Sequence, residues 1–172
     1  MSIVTDTIRA EFRSLLPQVE AIRNAAEELD EASLTEMRHV VDQTIDFVNG
    51  TLVPRATLEA TAVYPAIDRL YGGVPASAVM AHEHREIITL VWHLGSIQKL
   101  LDGPITSPGQ LKLIRRDLTR ILYSLYALTR SHIVKEDEVY LPLLEHSLSP
   151  AEPGDLIDRK GYAAADTRAR AA

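Results

Sequence analysis

"RSHIVKEDEVYLPLL", residues 130–144, decides how the rest of the chain is read. His132 and Glu136 stand four residues apart, one above the other on any helix. The same face continues upstream through Leu125, Leu122, Leu118 and Leu111. An ionisable pair at the end of an apolar stripe belongs to the inside of a helix bundle. A second stretch, "TLVPRATLEATAVYPAI" (residues 51–67), has the same build: with Arg55 laid over His132, Glu59 falls on Glu136 and Pro65 on Pro142. One copy begins with His and the other with Arg.

Working outward, apolar residues recur at helical spacing almost everywhere, and no stretch reads as a strand. A first helix is expected over about 5–29, with Ile8, Phe12, Leu15, Val19, Ile22, Ala26 and Leu29 on one face and a bend at Pro17. A second spans about 33–70, with the stripe Val41, Ile45, Val48, Leu52, Arg55, Glu59, Ala62 and Ala66; Asn49-Gly50 and Pro54 weaken its middle. "YGGVP" stops it. A third covers about 76–101, with Met80, His84, Ile87, Val91, Leu94 and Leu101. After the loop "DGPITSPG" a fourth covers about 110–147, its stripe passing through His132 and Glu136 to Val139 and Leu143. The predicted fold is all-α: an up-down-up-down four-helix bundle over residues 1–147. A tail over 148–172, rich in Ala, Pro and charge, is expected to be a short helix or disordered.

Composition narrows the function classes. The 172 residues carry a formal net charge of -6 and no block of like charges, which speaks against nucleic acid or an acidic membrane as the partner. The absence of cysteine excludes disulfides, thiolate metal sites and cysteine nucleophiles. "MSIVTDTIRAEF" lacks the apolar core of a signal peptide, and no apolar run is long enough to span a bilayer. These features point to a cytoplasmic protein. Asn49-Gly50 and Gly72-Gly73 read as helix breaks rather than phosphate cradles.

Most polar residues fall on outer faces. Glu59, His84, His132 and Glu136 do not, and neither does Arg55. Any one of them alone reads as a satisfied core residue or a local i,i+4 pair. Three helices placing ionisable groups in one core read differently, because burying such groups costs several kcal/mol or more unless they are paired or bind metal. Two imidazoles and two carboxylates are a ligand set for iron, manganese or zinc. His39, His82, His93 and His146 lie off the stripes and read as solvated; Tyr64 and Tyr140, like Tyr71, Tyr123 and Tyr126, read mainly as core or rim aromatics.

At this point the chain resembles the hemerythrin-like family of HHE cation-binding domains, in an actinobacterial flavour. The motifs that carry the resemblance are "AHEHREI" with Glu83-His84, "SHIVKEDEVYLPLL" with His132 and Glu136, and "VPRATLEATAVYP" with Glu59. The resemblance implies a four-helix bundle holding two iron ions between histidines from all four helices and bridging glutamates. This chain departs from that pattern on one side. Phe12 stands where the first helix gives a His, with Gln18 a second candidate for the lost ligand, and Arg55 stands at the second-helix His. One iron site has lost both imidazoles; the other keeps Glu59, His84, His132 and Glu136.

The expectation is therefore a mononuclear two-His, two-Glu site. Iron is favoured, with zinc, manganese or no metal as alternatives, and with oxygen, peroxide or nitric oxide as the small ligand. Arg55, one turn before Glu59, is expected to hold Glu59 and Glu136 where a second ion would. The rival expectations are a metal-free binding or regulatory bundle and a di-iron enzyme acting on peroxide.

Overall fold

Four antiparallel helical rods account for residues 3–147, the part of the chain described by the computed structural model. The expectation about residues 148–172 lies outside the described residues. The first rod is α1 (Ile3–Glu28). The second is one column made of α2 (Leu34–Phe47), α3 (Val53–Leu58) and α4 (Tyr64–Leu70), joined by wide π-turns at Val48–Leu52 and Glu59–Val63. The third is α5 (Ala78–Asp102). The fourth is α6 (Pro108–Lys135) and α7 (Leu141–Ser147), joined by a π-turn at Glu136–Tyr140. No strand occurs among the described residues. In the bundle α1 packs on α6, α6 on α5, α5 on α2, and α4 on α7.

Local chemistry sets the boundaries. Ser33 starts α2 with a capping box: its hydroxyl accepts the Glu36 N–H at 3.3 Å, and the Glu36 carboxylate accepts the Ser33 N–H at 2.6 Å. Ser107 caps α6 by accepting the Gln110 N–H at 3.2 Å, with Pro108 following in the first turn. Gly72 and Gly73 take φ of +66° and +86°, conformations open to glycine, and so end α4 where the sequence expected a stop.

The π-turns share one cause. The Val53, Tyr64 and Leu141 N–H groups each donate to the carbonyl five residues back, at Val48, Glu59 and Glu136. A proline follows each donor: Pro54, Pro65 and Pro142. Proline cannot donate, and its ring meets the carbonyl four residues back; widening the preceding turn lets the rod continue past it. Asn49-Gly50 therefore weakens the second rod without breaking it. Pro17 lies inside α1 with no such turn.

Each π-turn adds a residue and rotates the following segment by about 100°. This corrects the expected stripes. Beyond Glu136 the core residues are Leu141 and Leu144, while Val139 is 49% exposed. Beyond Glu59 they are Val63, Tyr64, Ala66 and Ile67, with Ala62 only half-buried. Away from the π-turns the stripes hold. Val19, Met37, Val41, Leu94, Leu101, Leu118 and Leu122 are fully buried and make the dry part of the core.

Candidate metal centre

Above that dry core the π-turns that begin at Glu59 in the second rod and at Glu136 in the fourth place these glutamates side by side with His84 of α5 and His132 of α6. Glu59, His132 and Glu136 are buried, and the His84 side chain is nearly so. The His84 and His132 Nε2 atoms lie 2.9 Å apart. Glu59 Oε2 lies 3.0 Å from His84 Nε2 and 3.8 Å from His132 Nε2, and Glu136 Oε1 lies 3.6 Å from His132 Nε2. One ligand atom from each of Glu59, His84 and His132 falls within 4.8 Å of the others. These four side chains are the ones the apolar stripes singled out.

Three further residues complete the cluster. Glu83, one position before His84, is buried; its Oε2 accepts from His132 Nδ1 at 3.0 Å and its Oε1 accepts from the Lys135 ammonium. A proton held on Nδ1 aims Nε2 of His132 into the cluster, the usual arrangement behind a metal-ligating histidine, where it can ligate once its own proton has left. Tyr64 places its hydroxyl 3.3–3.5 Å from all four inward groups. Glu11 of α1 reaches in to Arg55. Sequence reading gave Glu83 no role of its own. Its one signal was adjacency to His84, and its partner lies 49 residues further along the chain.

Arg55 points inward. Its side chain is 12% exposed; Nε lies 2.6 Å from Glu59 Oε1, Nη1 2.9 Å from Glu11 Oε2, and Nη2 3.5 Å from Glu136 Oε2. The contact to Glu59 is close but off the axis of a regular hydrogen bond, so it acts as an ion pair. The guanidinium carbon sits 4.3 Å from the centroid of the Phe12 ring, a cation–π geometry. Phe12 thus faces the cluster. Gln18 does not: it lies on the exposed face of α1, about 240° round from Phe12, and its amide donates to the Ser14 carbonyl at 3.5 Å. His39, His82, His93 and His146 are exposed. Tyr140 donates to the Ala76 carbonyl at 3.1 Å.

Electrostatics separates the two glutamates. Burial alone would raise the Glu59 carboxyl, but hydrogen bonds with His132 and His84 and the Arg55 charge outweigh it, holding Glu59 well below the usual carboxylate range. Glu136 is pushed up, by burial and then by the charge of Glu59. Burial opposes charge on His132, yet its hydrogen bonds with Glu136 and Glu59 push it up to about 10. Burial and the two glutamates raise Tyr64, which stays a neutral phenol. Burial opposes charge on Glu83, and Lys135 and His132 nevertheless lower it. The donor set suits a cation: two imidazole nitrogens and carboxylate oxygens converge in a buried place.

The family profile described as Hemerythrin HHE cation binding domain matches residues 4–144, and the chain belongs to that family. No curated protein and no solved structure gives a significant match. Membership implies cation binding, and the buried Glu59, His84 and His132 form a group that could hold a metal ion; no described helix is long and apolar enough to cross a membrane.

Proposed function

We propose that this chain binds a single metal ion, iron by preference, through Glu59, His84, His132 and Glu136, and that Arg55 supplies the charge a second ion would bring. The observation that carries this reading is the inward guanidinium, in ion contact with both inner glutamates and with Glu11. A guanidinium stays charged in a protein and offers only donors, so it repels a dication placed beside it. When bound, one such metal leaves open positions for oxygen, peroxide or nitric oxide. The residues do the rest: Glu83 fixes the His132 ring, Tyr64 offers one phenolic proton, and Arg55 holds Glu59 and Glu136 in place.

One observation favours a second reading, a metal-free binding or regulatory bundle. The cluster comes close to balancing its charge without a cation: Glu11, Glu59 and Glu83 face Arg55, Lys135 and a protonated His132, and the fourth carboxyl, Glu136, is pushed up towards its neutral form. Metal per chain, measured on protein purified without added metal, separates the readings. One equivalent supports the mononuclear site and none the metal-free bundle. Two equivalents would establish a di-iron site despite Arg55. Arg55→His combined with Phe12→His restores both lost imidazoles and should raise uptake towards two; one iron or fewer in that double variant defeats the substitution idea.

A further inference from the structure

Away from the metal cluster, α6 concentrates charge of one sign. It carries Lys112, Arg115, Arg116, Arg120, Arg130 and Lys135 against a single acid, Asp117, in a chain whose net charge is -6. Three of these cations answer partners within the bundle: Arg115 donates to the Ala32 carbonyl, Arg130 pairs with Glu20, and Lys135 pairs with Glu83. The other three, Lys112, Arg116 and Arg120, recur every four residues and so line one outward edge of the helix. Helical spacing, not a run of like charges, gathers them. Arg116 is matched by its neighbour Asp117 at 2.9 Å, whereas Lys112 and Arg120 have no hydrogen bond or ion pair among the described residues.

That edge borders a groove of about 360 Å³ in the valley between α5 and α6. Leu90, Ile97 and Ile121 give it an apolar floor, and Arg120 stands on its α6 wall across from His93 on α5. Leu100, two turns after His93, and Leu113, one turn before Asp117, continue the two walls and are 48% and 52% exposed. From Leu90 to Leu100 the valley runs about 15 Å at 1.5 Å per residue, the length of almost three helical turns. A contiguous apolar strip of this kind on a surface marks a place where something docks.

Charge selects the occupant. A second copy of the chain would bring the same row of cations to the shared face. The chain's own residues 148–172 hold equal numbers of acids and bases, so they offer no net negative charge. Nucleic acid is opposed by the net charge and has no use for an aliphatic floor. A helix with leucine-like side chains along one face and carboxylates along its flank satisfies both the floor and the cations. We infer that the α5–α6 valley docks an acidic amphipathic helix of a partner protein, its apolar face on Leu90, Ile97 and Ile121 and its carboxylates on Lys112 and Arg120. Docking here requires no metal in the cluster.

The probe is a fluorescent synthetic helix of about fourteen residues, four turns, with Leu on one face and Glu elsewhere, titrated into the full chain. Fluorescence anisotropy reads the affinity, and backbone amide chemical shifts read the place. The Leu–Glu helix should bind with a Kd below about 1 mM and move amides at residues 90–100 and 112–124. Replacing its Glu by Lys, or its Leu by Ser, should each weaken binding about tenfold or more. Lys112→Glu combined with Arg120→Glu should weaken it as much; both side chains are exposed, so the melting temperature should stay that of wild type. A Kd above about 1 mM, equal binding of the Leu–Lys helix, or amide shifts confined to other faces overturns the proposal. A DNA duplex of about twelve base pairs that binds more tightly than the Leu–Glu helix overturns it in favour of nucleic acid. A wild-type dimer that dissociates in the double variant overturns it in favour of a second copy.

Discussion

The second and fourth rods carry two versions of one device. Each places a buried glutamate, Glu59 or Glu136, at the start of a π-turn, and each resumes as a regular helix at a proline. The glutamates end side by side. Four residues upstream the versions part: His132 offers a lone pair and is backed by Glu83, whereas Arg55 offers only donors and is backed by Glu11. Five residues downstream they part again, at Tyr64 and Leu141. Backbone and chemistry are thus specified separately. The proline and its π-turn aim the carboxylate; the residue one turn earlier sets its neighbour, an imidazole in one rod and a guanidinium in the other.

The largest break in the comparison should come from the head residue that we propose as a ligand. His132→Ala removes one of two imidazoles and one of the two partners of Glu83, so stoichiometric metal binding should be lost. His82→Ala, on the exposed face of α5, should keep it. Metal per chain after gel filtration decides; equal loss from both variants would mean that neither histidine is special.

The matching change at the other head residue should act on stability rather than on metal uptake. Arg55→Ala leaves Glu59 and Glu136 buried without the guanidinium, and breaking one side of a buried pair typically costs about 3–5 kcal/mol. Part of that is offset by protonation, since Glu136 is already raised. The sign follows from the same linkage. Arg55 lowers both carboxyls, so removing it lifts their folded values, and a carboxyl lifted above its unfolded value costs stability as pH rises past the unfolded value of about 4.5. Metal-free Arg55→Ala should therefore lose more against wild type at pH 8 than at pH 5, and bound metal should shrink the gap. Equal melting temperatures for Arg55→Ala and wild type at both values would place the guanidinium outside the charge balance.

Much of this was legible in the sequence because period and phase survive where helices are regular. His132 and Glu136 lie on a stripe that runs uninterrupted up to the first residue of a π-turn, His84 lies on a helix without one, and Glu59 follows Val48 and Leu52, both still inward across the first π-turn; those four come together. Phase was lost just beyond: three residues after Glu136 the stripe predicted Val139, but the widened turn carries Leu141 inward instead. The prolines that cause the turns were visible, whereas the choice between a kink and a π-turn is made by backbone geometry. Glu83 and Glu11 were missed for another reason. Each is partnered across the bundle, by His132 and by Arg55, and no spacing along one helix reports a contact between two.

The smallest effect, and the sharpest, concerns one proton. In the metal-free protein His132 lies between Glu83 on Nδ1 and the His84 Nε2, Glu59 and Glu136 groups on Nε2, and its pKa is pushed up to about 10. A histidine raised above its unfolded value of about 6.5 contributes stability that is fully present below that value and fades as pH rises through the folded one. Metal-free protein should therefore melt lower at pH 10 than at pH 7, and His132→Gln should flatten that slope. Ligation needs the Nε2 lone pair, so at pH 8 metal uptake must displace the proton that Nε2 carries, while the Nδ1 proton stays on the Glu83 side. Arg55 cannot release a proton in this range, so the second rod contributes none. Titrating metal into weakly buffered protein at pH 8 should release close to one proton per metal bound. Metal uptake with no proton release would mean that His132 is neutral before the metal arrives, and that the two head residues differ less in charge than the geometry implies.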